Sequence, residues 1–166
     1  MPVEPASSIV HALKYAGWAK VADEMAERMS RLSWPEDVVA ERAGIVPIPL
    51  ASARKRERGY NQSELLARGL SRRWRIPVWD SAVGRSRETD SQTRLTPEQR
   101  RGNVAGSFQI GGGKLDSLAD AHVVLVDDVV TTAATLNECA KVLYDAGARI
   151  ISYVTIGRAH ASGDRL

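Results

Sequence analysis

The sequence predicts an α/β fold, an open and mostly parallel sheet flanked by helices. Three observations carry that expectation. Helix-like and strand-like segments alternate along the chain, the pattern that builds α/β sheets. Val123 to Val126 is an unbroken run of branched apolar residues, which suits a central parallel strand buried on both faces. A helix from Thr135 to Ala146 and a strand from Ile150 to Ile156 follow it, at the spacing of a βαβ unit.

The earlier elements follow in order. Ser8 to Leu32 reads as an amphipathic helix. Ile9, Leu13, Val21, Met25, Met29 and Leu32 recur at helical steps, and Lys20, Asp23, Glu24, Glu27 and Arg28 fill the other face. Ser33-Trp34-Pro35 ends it. A short strand is expected from Gly44 to Ile48, closed by Pro47 and Pro49, and then a basic loop from Ala51 to Gly59. Asn61 to Trp74 is a second helix, with Leu65, Leu66 and Leu70 as its apolar stripe. Ile76 to Val83 is extended. Gly84 to Leu95 is nearly devoid of apolar residues and reads as a mobile surface loop. Thr96 caps a short helix, with Pro97 first and Gln99 at the capping-box position. Val104 to Ile110 returns as a strand, and Gly111-Gly112-Gly113 turns. Leu136, Cys139, Ala140 and Leu143 form the inward face of the last helix, which Gly147 ends.

At 166 residues, 43% apolar and 26% charged, the chain fits one globular domain spanning 1–166. No apolar run approaches the ~20 residues that cross a bilayer. The first residues, MPVEPASSIV, show no secretory pattern. No membrane role and a cytoplasmic location are expected. The single cysteine, Cys139, excludes a disulfide framework within the chain. It reads as a buried helical residue. His11, His122 and His160 are scattered and read as structural or solvated. The net charge of +3 is unevenly spread. Arg54, Lys55, Arg56, Arg58, Arg68, Arg72, Arg73 and Arg75 stand against only Glu57 and Glu64 between Ala51 and Arg75. The tight group Arg54, Lys55, Arg56 and Arg58 suits phosphates, of a small ligand or of a nucleic acid, and equally well an ordinary solvated face. Arg68 to Arg75 reads better as a solvated helix face. Gly111-Gly112-Gly113-Lys114 lacks the spacing of a nucleotide phosphate loop.

The chemistry concentrates in VVLVDDVVTTAATL, Val123 to Leu136. Asp127 and Asp128 follow the buried strand, at the carboxyl end where open α/β sheets bind ligands. Adjacent carboxylates repel and call for compensation by polar groups or a cation. The turn beyond them leads into a helix N-terminus, which favours an anion. Thr131, Thr132 and Thr135 add hydroxyl donors. A sugar phosphate satisfies both halves. Its phosphate would sit on the threonine turn, and its vicinal hydroxyls would donate to the carboxylates. A divalent metal nearby would offset the paired charge.

These residues resemble the phosphoribosyl-pyrophosphate (PRPP) motif of type I phosphoribosyltransferases, and among them the competence protein F (ComF) family. The likeness extends to LKYAG at Leu13 to Gly17, VPIPL at Val46 to Leu50, RERGYNQSELLA at Arg56 to Ala67, RSRETDSQTRL at Arg85 to Leu95 and RRGNVAGSF at Arg100 to Phe108. It implies a type I phosphoribosyltransferase-like fold and a set of roles. Asp127 and Asp128 would take the ribose hydroxyls of PRPP. Val129, Val130, Thr131, Thr132, Ala133, Ala134 and Thr135 would cradle the 5-phosphate. Pro47, Ile48, Pro49 and Leu50 would form the pyrophosphate loop, where family folds often hold a non-proline cis peptide. Arg85 to Leu95 would be the flexible catalytic loop, with Arg87 acting beside Asp127 and Asp128. Mg2+ would arrive with PRPP, with no protein ligand of its own assigned. Phosphoribosyl would pass to an unspecified acceptor. The hood that selects it has only one candidate, the N-terminal region with Tyr15 and Trp18. A homodimer is common in the fold.

The chain departs from the family pattern twice. Ala133 stands where the phosphate turn normally has glycine, and a positive φ there would cost alanine about 1 kcal/mol or more. The four-cysteine zinc module common upstream in the family is absent, so the chain is either a natural short form or a fragment. A second function also fits the resemblance. It is a non-catalytic module of DNA uptake that binds single-stranded DNA or a protein of the competence machinery through its basic loops. Single strands are usually held by stacking on aromatics, and near the basic group only Tyr60 offers that.

Overall fold

Strand order follows from which segments are apolar on both faces. The computed structural model describes residues 18–86, 105–112 and 115–159. At its centre β4 (His122–Val130) lies between β1 (Arg42–Pro47) and β5 (Ile150–Arg158), parallel to both. Val123 and Leu125 point into one cluster, with Val46, Trp79, Phe108, Leu136, Cys139 and Leu143. Val124 and Val126 point into the other, with Ala22, Ala26, Ile45, Leu66, Leu70 and Val154. The four are at most 1% exposed. Alternate side chains of one strand thus supply two cores, as a doubly covered sheet requires.

One face is covered by α1 (Trp18–Ser30) and α4 (Gln62–Trp74). They pack closely at Gly69, where a methyl group would come within 2.5 Å of the Ala26 Cβ. Asp23 of α1 meets Arg72 at 2.6 Å and Arg73 at 3.0 Å. Those guanidiniums hold its carboxyl down at about 2, Arg73 first. Arg68 pairs with Glu64 at 2.7 Å. The Arg68–Arg73 face is therefore an ion-paired helix surface, as expected. The other face is covered by α6 (Ala134–Asp145), by the short α5 (Leu115–Leu118), and by an antiparallel pair, β2 (Val83–Arg85) with β3 (Phe108–Ile110).

Several expectations are corrected. The first helix ends at Ser30, and the part before Trp18 lies outside the described residues. A helix absent from the sequence reading, α2 (Glu36–Glu41), precedes β1. Pro47 does not close β1 but is its last paired residue, opposite Val126. The basic segment is no loop: Ser52–Arg58 forms helix α3, closed by Gly59 in the left-handed region at φ 77°. Ile76 to Val83 is only locally extended. It lies against the free edge of β1, where Ile45 N donates to Pro77 O at 2.9 Å and Trp79 N donates to Ile45 O at 2.8 Å. Gly84 and Arg85 are strand rather than loop. Arg87 to Leu95 of the expected catalytic loop, the Thr96–Gln99 helix, Val104, His11 and His160 lie outside the described residues. Of the Val104–Ile110 strand, Phe108–Ile110 is present. Cys139 is fully buried, and burial pushes its thiol up. His122 is buried, its Nε2 2.9 Å from Ser152 Oγ, a structural histidine.

Candidate active site

The site forms where β4 outruns β1. Pro47 opposite Val126 is the last pair between them, whereas β4 stays paired with β5 as far as Val130 opposite Arg158. Asp127 and Asp128 therefore do not stand beyond the end of their strand, as the sequence suggests. They lie inside β4, kept extended by Thr155 and Gly157 of β5, and beside the gap that β1 leaves. Val129 and Val130, expected in the phosphate turn, are strand residues for the same reason. The turn itself is Thr131 to Ala133.

Asp127 Oδ1 accepts two hydrogen bonds, from Ser63 Oγ at 3.0 Å and from Asp128 N at 2.9 Å. Asp128 Oδ1 accepts from Val129 N at 2.7 Å. Burial, and then the charge of Asp128, push the Asp127 carboxyl up to about 7. The two donated hydrogen bonds offset part of that. The compensation that adjacent acids demand is thus incomplete within the protein.

The turn carries a second cost. Ala133 is left-handed, at φ 57° and ψ 9°, and stands as the residue before α6. A non-glycine residue pays roughly 1–2 kcal/mol for that conformation. Ala133 O accepts from Asn137 N at 2.8 Å, so the strained residue begins the helix. Thr132 Oγ1 accepts a long bond of 3.4 Å from Ala134 N. Thr131, Thr132, Ala133, Ala134 and Thr135 are all half-buried. The turn thus places Thr131, Thr132 and Thr135 around the start of a twelve-residue helix, an arrangement suited to an anion.

Opposite lies the segment expected as the pyrophosphate loop. Ile48 is buried, while Pro49 and Leu50 are half-buried. Every described peptide bond is trans, so no cis peptide occurs here. Ile48 N donates to Val126 O at 2.9 Å, Ile48 O accepts from Asn61 Nδ2 at 3.0 Å, and Pro49 O accepts from Arg85 Nε at 3.0 Å. The Arg85 guanidinium also lies 4.7 Å from the Phe108 ring centroid. The basic helix α3 starts two residues past Leu50. Lys55 and Arg56 are exposed, Arg54 and Arg58 half-buried, and Lys55 is 3.6 Å from Glu64.

The structure brings together Asp127, Asp128, the threonine turn and the Ile48 loop. Arg87 and Tyr15 lie outside the described residues, and Trp18 opens α1. Sequence reasoning gave no individual role to Asn61, Ser63 or Arg85. An asparagine just before a helix is a capping signal, and Asn61 is indeed the cap of α4, its Oδ1 accepting from Ser63 N at 3.1 Å. No local pattern announces that Ser63 reaches a carboxylate sixty-four residues away.

Magnesium can be tested against this donor set. Among the described residues no group of three or more histidine, cysteine or acidic side chains could hold a metal. Two adjacent, incompletely compensated carboxylates suit a divalent ion held mainly by a ligand's phosphate oxygens and water.

The architecture matches solved structures with low sequence identity. One is a glutamine PRPP amidotransferase from B. subtilis, with TM-score 0.55, 15% identity, and 83% of this chain against 26% of that one. Another is the hypoxanthine phosphoribosyl transferase of Trypanosoma cruzi, with TM-score 0.50, 14% identity, and 86% of this chain against 74% of that one. They define the class as a type I phosphoribosyltransferase fold, and the phosphoribosyl transferase domain family matches residues 21–165. Within that class the chain belongs to the ComF, or competence protein F, family. Competence protein F of Haemophilus influenzae is 34% identical over 95% of this chain and 69% of its own length. DNA utilization protein YhgH of Escherichia coli K12 is 37% identical over 89% of this chain and 64% of its own length. The chain thus spans about two thirds of the length of these curated relatives. Among the described residues, no helix is long and apolar enough to cross a membrane.

Proposed function

We propose that the chain binds PRPP with magnesium and transfers its phosphoribosyl group to an acceptor, with pyrophosphate as the leaving group. The observation that carries this reading is the Asp127–Asp128 pair, followed by a threonine turn that ends in the left-handed Ala133 at the start of α6. In this reading the ribose hydroxyls donate to Asp127 and Asp128. The 5-phosphate rests on Thr131 to Thr135, and the pyrophosphate lies along Ile48 to Leu50. The bond from ribose C1 to the pyrophosphate oxygen breaks, and that oxygen keeps the electron pair. The acceptor's heteroatom bonds to C1 and gives up its proton. Magnesium bound with PRPP beside Asp127 and Asp128 would supply charge neutralisation of the leaving group. The protein's part is to position the ribose and stabilise developing charge. Arg54 and Arg58, close after the loop, add positive charge on the leaving-group side. Arg87 is assigned to the same side by the family resemblance.

The test is calorimetric titration with magnesium-PRPP. Wild type should bind in the micromolar range, and Asp127→Asn/Asp128→Asn should lose at least tenfold in affinity. Unchanged affinity in the double variant would remove the site assignment.

A second reading rests on the exposed basic side chains of α3 and on the printed names of the relatives. In it the chain is a non-catalytic module that binds single-stranded DNA or a competence protein. Tyr60, which follows α3, packs against the α1–α4 core, which leaves the stacking platform incomplete. Salt-sensitive binding of an oligonucleotide, lost on neutralising Lys55 and Arg56 while PRPP fails to bind, would favour this reading.

A further inference from the structure

The start of α4 touches both halves of the site. Asn61 donates through Nδ2 to Ile48 O at 3.0 Å and accepts through Oδ1 from Ser63 N at 3.1 Å. Ser63 in turn donates through Oγ to Asp127 Oδ1 at 3.0 Å. Asn61 is 8% exposed and Ser63 4%, so water competes weakly for these bonds. Gln62, between them, is 3% exposed, and its Nε2 has no hydrogen-bond partner among the described residues. An unsatisfied buried donor is costly, and α4 keeps it at this corner.

The two bonds do different things. The bond to Ile48 O fixes the backbone of the loop after β1. The bond to Asp127 fixes one oxygen of the carboxylate in β4. The cap bond from Ser63 N to Asn61 makes the two anchors one rigid piece. Neither residue adds charge, and neither is needed to build the sheet, because Ile48 N is already held by Val126 O at 2.9 Å.

We propose that Asn61 and Ser63 are positioning residues, which hold the Ile48 loop and the Asp127 carboxylate in one fixed relation so that a ligand spanning both is bound better than its separate halves. The proposal rests on the PRPP reading for the identity of that ligand. A spanning ligand gains from preorganised subsites, and each half alone gains little from their mutual register.

The experiment measures affinities of magnesium-PRPP, ribose 5-phosphate and pyrophosphate for wild type, Asn61→Ala, Ser63→Ala and Ser63→Thr. One hydrogen bond is worth about 1 kcal/mol net, so Asn61→Ala and Ser63→Ala should each weaken PRPP about fivefold. Each fragment should weaken by less than about threefold, and Ser63→Thr, which keeps the hydroxyl, should restore PRPP affinity. Equal losses for all three ligands, or none for PRPP, would overturn the proposal. Amide hydrogen exchange on the ligand-free protein separates this from failure of the PRPP reading. Exchange should quicken at Ile48 in Asn61→Ala and at Asp128 in Ser63→Ala. If wild type binds none of the three ligands, the PRPP reading falls and exchange alone decides. Unchanged exchange at both amides would then overturn the coupling as well.

Discussion

Replacing Asp127 by asparagine should make the ligand-free protein more stable, and only at neutral and alkaline pH. The carboxyl is raised from its ordinary 3.8 to about 7 by burial and by the charge of Asp128. A raised acid is held neutral by the fold. Its cost is absent below pH 4, grows between pH 4 and 7, and is complete above pH 7. A gap of about three pH units, at about 1.4 kcal/mol for each tenfold change in proton affinity, sets a ceiling of ~4 kcal/mol. Asp127 is half-buried, so water screens part of this, and about 2 kcal/mol is expected. Asparagine keeps an Oδ1 acceptor for Ser63 Oγ and Asp128 N, so no bond need be lost.

For a domain of this size, 1 kcal/mol moves Tm by roughly 2–4 °C. Thermal unfolding at pH 8 should therefore place Asp127→Asn about 4–8 °C above wild type. The difference should shrink to less than half at pH 5. Calorimetry on the same samples should show PRPP binding weakened. A gain in stability joined to a loss of binding is the signature of a group retained for its ligand. A variant less stable than wild type at pH 8, or a difference that ignores pH, would refute the reasoning.

Other outcomes follow from the same geometry. Ala133→Gly should raise stability by about 0.5–1 kcal/mol in urea unfolding, since relief of left-handed strain exceeds the added chain entropy; a loss would mean that the methyl group packs usefully. Gly44→Ala should cost ~1–3 kcal/mol, because its Cβ would lie 2.5 Å from the Trp79 ring, and tryptophan fluorescence should report the displacement. Arg85→Lys should cost about 1 kcal/mol by losing the planar contact with Phe108 and the Nε bond to Pro49 O; exchange at Ile110 and Val83 offers the check.

What was legible in the sequence is what depends on local composition. The run Val123 to Val126 announces a strand buried on both faces, because only such a strand can be apolar at every position. The α4 stripe and the end of α6 at Gly147 are equally local. Helix α3 was missed because Ser52 to Arg58 has no apolar period. It is a seven-residue surface helix with no buried residue, and hydrophobic patterning is silent about such elements. The length of β4 was missed for the opposite reason. Asp127 and Asp128 look like the end of a strand, yet β5 continues to pair beyond them, and a partner strand is a tertiary fact.

The same division runs through the site. The acids and the threonine turn were legible because they are contiguous and chemically unusual. The conformation of Ala133 was posed as a conditional and is met: its φ is 57°. Ser63 and Asn61 were not legible as individuals, because their meaning lies in contacts at long sequence separation with Asp127 and Ile48. The strained turn and the raised carboxyl are both costs at neutral pH, and they lie within one short segment, Asp127 to Ala133. An anion on the turn and hydroxyl donors at the acids would offset both at once, whereas the fold alone relieves neither. One asparagine would shed the cost of the carboxyl, whereas the glycine that would relieve the turn is the residue the family pattern already has at Ala133. The retained acid therefore supports the proposed site, and Ala133 is a departure that the proposed phosphate turn must tolerate.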